Sequence, residues 1–187
     1  MKFKILINSI FLTIFLISLP QSAQQINSNK YYKYIDSASN RIDNYPKIAD
    51  EFLDTIPFPL EKKIKGRISN YYHLKAVLSS HLNNDAEVYH YNILLLKYAK
   101  KEKNYEMAGA ASIELFYNLF IVRKDSTALD YLQKAEKFYT LDNNKLGLID
   151  VMQMKAFVEF YNKNYSKSNE LLIPKIAYYK SVKEDSF

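Results

Sequence analysis

Ser126-Thr127-Ala128-Leu129-Asp130-Tyr131-Leu132-Gln133-Lys134-Ala135 is the stretch that decides how the rest of the chain is read. Ala128 and Ala135 stand seven apart with Leu132 between them, so the three share one face of a helix. The two small residues let a neighbouring helix approach closely, while the leucine fills the groove between. Just upstream, Asp125-Ser126-Thr127 offers short side-chain oxygens that can accept the orphaned amide hydrogens of a helix start. Further back, Ile113, Phe116, Tyr117 and Phe120 recur at three- and four-residue spacing and form one face of a preceding helix. The segment reads as a helical hairpin.

The hairpin repeats. Aligned against itself at an offset of 40, the chain places a polar turn at Asp43-Asn44-Tyr45, Asn83-Asn84-Asp85, Arg123-Lys124-Asp125 and Lys163-Asn164-Tyr165. Ile48, Val88, Ala128 and Ser168 follow in step, then Phe52, Asn92, Leu132 and Leu172. Tyr31-Tyr32 recurs as Tyr71-Tyr72; Ala76, Phe116 and Ala156 align, as do Val77, Tyr117 and Phe157. In the fourth unit Met152, Ala156, Phe157 and Phe160 repeat the first-helix pattern, and Tyr165, Leu172 and Ile176 lie on the second helix. Pro174 is expected to kink that helix, since it removes a hydrogen bond. Pro57-Phe58-Pro59 breaks the chain between the first two units. Strand-like alternation is absent, so the fold class is all-α with about four antiparallel hairpins.

Composition agrees. A chain of 187 residues has room for one domain or a short array. Gly 3 is too few for an all-β fold or a glycine-rich phosphate loop, and Cys 0 excludes disulfide scaffolds, thiolate zinc sites and cysteine nucleophiles. The net charge of +6 is interleaved along the chain; its densest run is Lys62, Lys63, Lys65 and Arg67, read as a solvated face and not as a nucleic-acid stripe. Residues 1–23 read as a secretory signal peptide: Lys2 and Lys4, a run rich in Ile, Leu and Phe, then Pro20 and the small pair Ser22-Ala23. Gln21 suits cleavage poorly, which leaves an uncleaved anchor as the other reading. Export to the periplasm or cell envelope is therefore expected, with 24–29 as a short linker and 30–187 as the helical domain.

The second helix at 126–135 resembles that of a tetratricopeptide repeat, and the similarity spans residues 30–180. The usual repeat is 34 residues and this one is 40, so each helix is nearly a turn longer. The position of the family's first-helix tryptophan is held by Tyr32, Tyr72, Ser112 and Met152. The resemblance implies a right-handed solenoid whose concave groove draws on the first helices: Asn70, His73, Val77 and His81, then Ile113, Tyr117 and Phe120, then Asp150, Gln153, Phe157 and Tyr161. That surface suits a protein or peptide segment. Leader, long degenerate repeats and an Asn/Lys/Ile/Tyr-rich composition together resemble the extracytoplasmic sensory segments of Bacteroidetes-type histidine kinases and helix-turn-helix regulators. This resemblance implies the periplasmic, non-catalytic sensory part of a membrane-bound regulator. A free-standing exported scaffold for protein–protein interaction is the alternative.

Catalytic chemistry has little to build on. Asp50, Glu51, Asp54, Glu184 and Asp185 lie in exposed helical or terminal settings, unsuited to acid–base work. His73 and His81 are eight apart, two helical turns, too far to share one metal ion. No enzyme activity, cofactor, metal or nucleic-acid partner is expected, and contact with a membrane is expected only through an uncleaved leader or a part following residue 187. The tyrosine doublets read first as interhelical packing. One period after Lys145, a fifth unit would begin near Asp185, so the array is expected to be incomplete at its C-terminus. The stacking face Leu172, Ile173, Ile176 and Tyr179 is then left exposed, or serves as a partner or homodimer interface.

Overall fold

The computed structural model describes residues 28–57, 60 and 67–184. Among them are eight α-helices, one π-helical segment and no strand. In chain order these are α1 (Ser28–Ser39), α2 (Pro46–Asp54), α3 (Ile68–His81), α4 (Asp85–Lys101), α5 (Tyr105–Tyr117), the π segment Asn118–Arg123, α6 (Ala128–Leu141), α7 (Lys145–Tyr161) and α8 (Tyr165–Glu184). The leader, linker residues 24–27, Phe58-Pro59, Lys62, Lys63, Lys65 and residues 185–187 lie outside the described residues. Ser28 and Asn29, expected in the linker, already belong to α1. No helix among the described residues is long and apolar enough to cross a membrane.

One turn is used again and again. Asn83, Lys103, Asn143 and Lys163 adopt left-handed backbone with φ of 55°, 56°, 54° and 64°. The N–H of each bonds three residues back, and the N–H of the following asparagine bonds five back: Asn83 to Ser80 at 3.0 Å with Asn84 to Ser79 at 2.9 Å, and Asn143 to Thr140 at 3.2 Å with Asn144 to Tyr139 at 2.9 Å. This double bond satisfies carbonyls that a helix C-terminus leaves open. The same asparagine then starts the next helix, its side chain accepting from Glu87, Met107 or Gly147 N–H. The turn therefore joins helices both within and between hairpins.

Burial keeps the 40-residue step. Tyr71, Ala111 and Val151 are buried, as are Ala76, Phe116 and Ala156, and on the second helices Asn92 and Leu132. Phe116, large where its counterparts are alanine, is balanced one turn earlier by the buried Ser112, which stands where Tyr72 is large. The pair Tyr72 and Ala76 thus becomes Ser112 and Phe116, which conserves volume. Asn92 is accommodated because its Nδ2 donates to Val88 C=O at 2.9 Å.

Several expectations need correction. In the first hairpin Ala49 and Leu53, not Ile48 and Phe52, take the core positions; Ile48 is exposed and Phe52 half-buried. The connection before α2 lacks the left-handed turn and begins its helix with Pro46, which rotates the register by one residue. Phe160 leaves its expected face and is 58% exposed, pairing edge-on with Tyr165 across the turn. Tyr165 and Ile176 are exposed too. Thr127 makes no side-chain cap to α6; Asp125 accepts instead from the Thr127 N–H and hydroxyl, both at 2.8 Å.

Tertiary ties run both within and between hairpins. The Glu102 carboxylate accepts from Ile68 N–H at 2.7 Å, Ser69 N–H at 3.3 Å and Ser69 Oγ at 2.6 Å, capping α3 from the end of α4. The buried Tyr31 hydroxyl donates to Arg67 C=O at 2.7 Å. Lys75 Nζ reaches Asp50 at 2.6 Å and Asp54 at 2.9 Å on α2. Tyr139 of α6 lies against Gly109 of α5 and Gly147 of α7, where an added Cβ would overlap its ring. Two of the three glycines thus hold one tyrosine and set the approach of α5 and α7.

Candidate functional site

The run Ala108-Gly109-Ala110-Ala111-Ser112 puts five small residues in the first two turns of α5. Ala108, Gly109, Ala111 and Ser112 allow close packing, while Ala110 leaves room beside α3. The result is a cleft of about 210 Å³ where α3, α4 and α5 meet. His73, Val77, Ser80 and His81 come from α3, Val88, Asn92 and Leu95 from α4, and Ala110, Ala111 and Glu114 from α5.

Three expected groove residues, His73, Val77 and His81, are brought together here. Burial pushes the His73 imidazole below its ordinary value. Glu114 keeps an exposed edge at the mouth, but the protein packed around it pushes its carboxyl above the usual range. His81 Nε2 stands 3.2 Å from Asp43 Oδ1. Neither His73 nor Glu114 has a hydrogen-bond or ion-pair partner among the described residues. Two unpartnered titratable groups sharing one cleft are the kind of arrangement found where ligands bind.

The remaining expected residues divide. Phe120 packs against Phe116 at 5.3 Å between ring centroids, against Phe157 at 5.9 Å and against Tyr161 at 5.4 Å. This aromatic cluster joins the end of α5 to α7, with Tyr161 60% exposed at its edge; Tyr117, on α5, is 50% exposed. Ile113 is half-buried against the neighbouring core. Asn70 is half-buried on α3 outside the cleft. Asp150 and Gln153 turn towards α8, where Lys175 Nζ donates to both, so they are taken up by their own hairpin. On α8, Ile173, Ile176 and Tyr179 are exposed and Leu172 half-buried.

Both tyrosine doublets are packing elements. Their rings meet edge-on at 5.1 Å in Tyr31–Tyr32 and 5.3 Å in Tyr71–Tyr72, and Tyr72 stacks between Tyr91 and Tyr98. No cluster of three or more metal-ligating side chains occurs among the described residues. Sequence reasoning missed Asn92, Ala110, Ala111 and Glu114. The signal was the small-residue run, which marks where α5 leaves space beside α3.

Fold and cleft together define an all-helical chain with a half-polar recess and an aromatic cluster along its first helices. No known protein family, curated protein or solved structure matches it.

Proposed function

We propose that this chain is an exported, non-catalytic recognition module, a tetratricopeptide-like stack of helical hairpins that binds a protein or peptide segment along α3, α5 and α7. The observation that carries the reading is the alignment of two features on that row of helices, the α3–α4–α5 cleft and the Phe120–Phe157–Tyr161 cluster. A recess on α3–α5 and, further along the row, half-buried rings with Tyr161 exposed offer what an extended segment needs, an anchor hole and a platform for stacking. The 40-residue burial step and the left-handed turn at four of the five junctions from α3 to α8 support a stacked array. The leader supports export, and sensory service to a membrane-bound regulator is the role in which such binding has a use.

The test is a displayed-peptide selection on the folded chain, repeated with Tyr117→Ala/Phe157→Ala/Tyr161→Ala. The expected result is enriched peptides whose binding falls at least about tenfold in the triple variant, with the helical circular dichroism spectrum retained. Binding undiminished in that folded variant, or no enrichment at all, overturns the reading.

A further inference from the structure

We propose that the cleft between α3, α4 and α5 is an anchor pocket for one basic side chain, arginine above lysine, of the bound segment. This rests on the recognition reading and specifies the chemistry of one position within it.

Size comes first. At about 210 Å³ the cleft falls below the roughly 300–1,000 Å³ of pockets that enclose a whole small ligand. It fits a single side chain. Its walls are apolar, with Ala76, Val77, Val88, Leu95, Ala110 and Ala111, and suit an aliphatic stem.

The polar groups decide the head. Glu114 offers a carboxylate that no described residue engages. Asn92 gives one N–H of its Nδ2 to Val88 C=O and keeps its Oδ1 as an acceptor. A neutral His73 presents one unprotonated nitrogen. Ser80 can donate or accept. His81 at the rim is already paired with Asp43, its Nε2 standing 3.2 Å from Oδ1. The one unpaired charge in the cleft is thus the Glu114 carboxylate, flanked by acceptors on Asn92 and His73, while the donors beside it are the neutral ones of Asn92, His73 and Ser80. A guanidinium has five donors and no acceptor, and its pairing with a carboxylate is charge-assisted. An acidic side chain would face the charge of Glu114 with no unmatched cation among the lining residues. A wholly apolar one would leave the carboxylate unanswered.

The experiment titrates the full chain with the methylamides of N-acetyl-arginine, N-acetyl-lysine, N-acetyl-norleucine and N-acetyl-glutamate. It follows the His73 ring and the Ala110 and Ala111 methyls by NMR. The expected order is arginine, lysine, norleucine, with no saturable response to glutamate. Glu114→Gln, at an exposed edge, weakens arginine at least about tenfold and leaves norleucine unchanged. Norleucine matching arginine, or arginine unaffected by Glu114→Gln, overturns the proposal. If selected peptides bind the first-helix face while arginine leaves the cleft signals unmoved, the anchor pocket is wrong and the recognition reading stands. If arginine binds as expected but no peptide is enriched, the pocket stands and the reading of the segment falls.

Discussion

Replacing Gly147 by alanine adds one methyl group near the start of α7, normally a favourable change. Alanine exceeds glycine in helix propensity by up to about 1 kcal/mol. Here the new Cβ would lie 2.5 Å from both Cγ and Cε1 of Tyr139. Cγ lies on the axis about which the ring turns, so rotating the ring does not clear it, and Tyr139 must leave its packed rotamer or α6 and α7 must shift. Overpacking of this kind costs about 1–3 kcal/mol. With the full helix gain subtracted, the balance is a loss of up to about 2 kcal/mol, which lowers the urea midpoint by up to about 1 M for a domain of this size. Urea unfolding followed by helical circular dichroism reads it directly. Tyr139→Ala supplies the control: in that background Gly147→Ala becomes neutral or stabilising, because every ring atom it strikes, Cγ included, is gone. The two positions then show a coupling of order 1 kcal/mol or more. A higher midpoint for Gly147→Ala alone, or the same loss in both backgrounds, would refute the reasoning.

Three other outcomes follow from the same geometry. Lys103→Gly and Lys163→Gly each stabilise by about 0.5–1 kcal/mol, since left-handed backbone strains a residue with a Cβ by more than glycine loses in entropy; a lower melting temperature in either contradicts this. Glu102→Ala strips the acceptor from Ile68 and Ser69 N–H and costs about 1–3 kcal/mol, visible as faster hydrogen exchange at those two amides, whereas unchanged protection argues against the cap. Alkali weakens the fold through two kinds of group. Burial alone would lower the Lys75 pKa, but its bonds to Asp50 and Asp54 carry it above the ordinary value, so its contribution is complete below about pH 10.4 and fades as pH rises through the folded value. Burial pushes Tyr71 and Tyr139 up to about 12, which favours their neutral forms and again costs stability once the unfolded chain ionises above about pH 10. Stability should therefore fall between about pH 10 and 12, less steeply in Lys75→Met, and a rise over that interval contradicts the assignment.

Much of the architecture was legible from apolar spacing. The Ala128, Leu132 and Ala135 face, the hairpin turns and the 40-residue step all rest on local periodicity, and burial follows them from α3 to α7. Three things escaped. Lys103-Asn104 and Asn143-Asn144 form the same turn as Asn83-Asn84, but lysine and asparagine serve equally at its left-handed position, which blurs the shorter recurrence. The exchange of Tyr72 and Ala76 for Ser112 and Phe116 looked like a departure because volume is conserved across two positions rather than at each. At the candidate site, His73, Val77 and His81 came from register alone. Glu114 did not, because the cleft pairs α3 with residues on α5 one turn earlier than strict register suggests. Asp150 and Gln153 were misplaced because spacing does not reveal that Lys175, on the next helix, engages both.

The central claim is that the face built by α3, α5 and α7 recognises a polypeptide segment. Methyl and amide NMR mapping of the full chain with a selected peptide tests it most directly. The account predicts shifts concentrated at His73, Val77, Ala110, Ala111, Glu114, Tyr117, Phe157 and Tyr161, with the outer face of α8 silent. Shifts centred on Ile173, Ile176 and Tyr179, with the cleft unmoved, would contradict it.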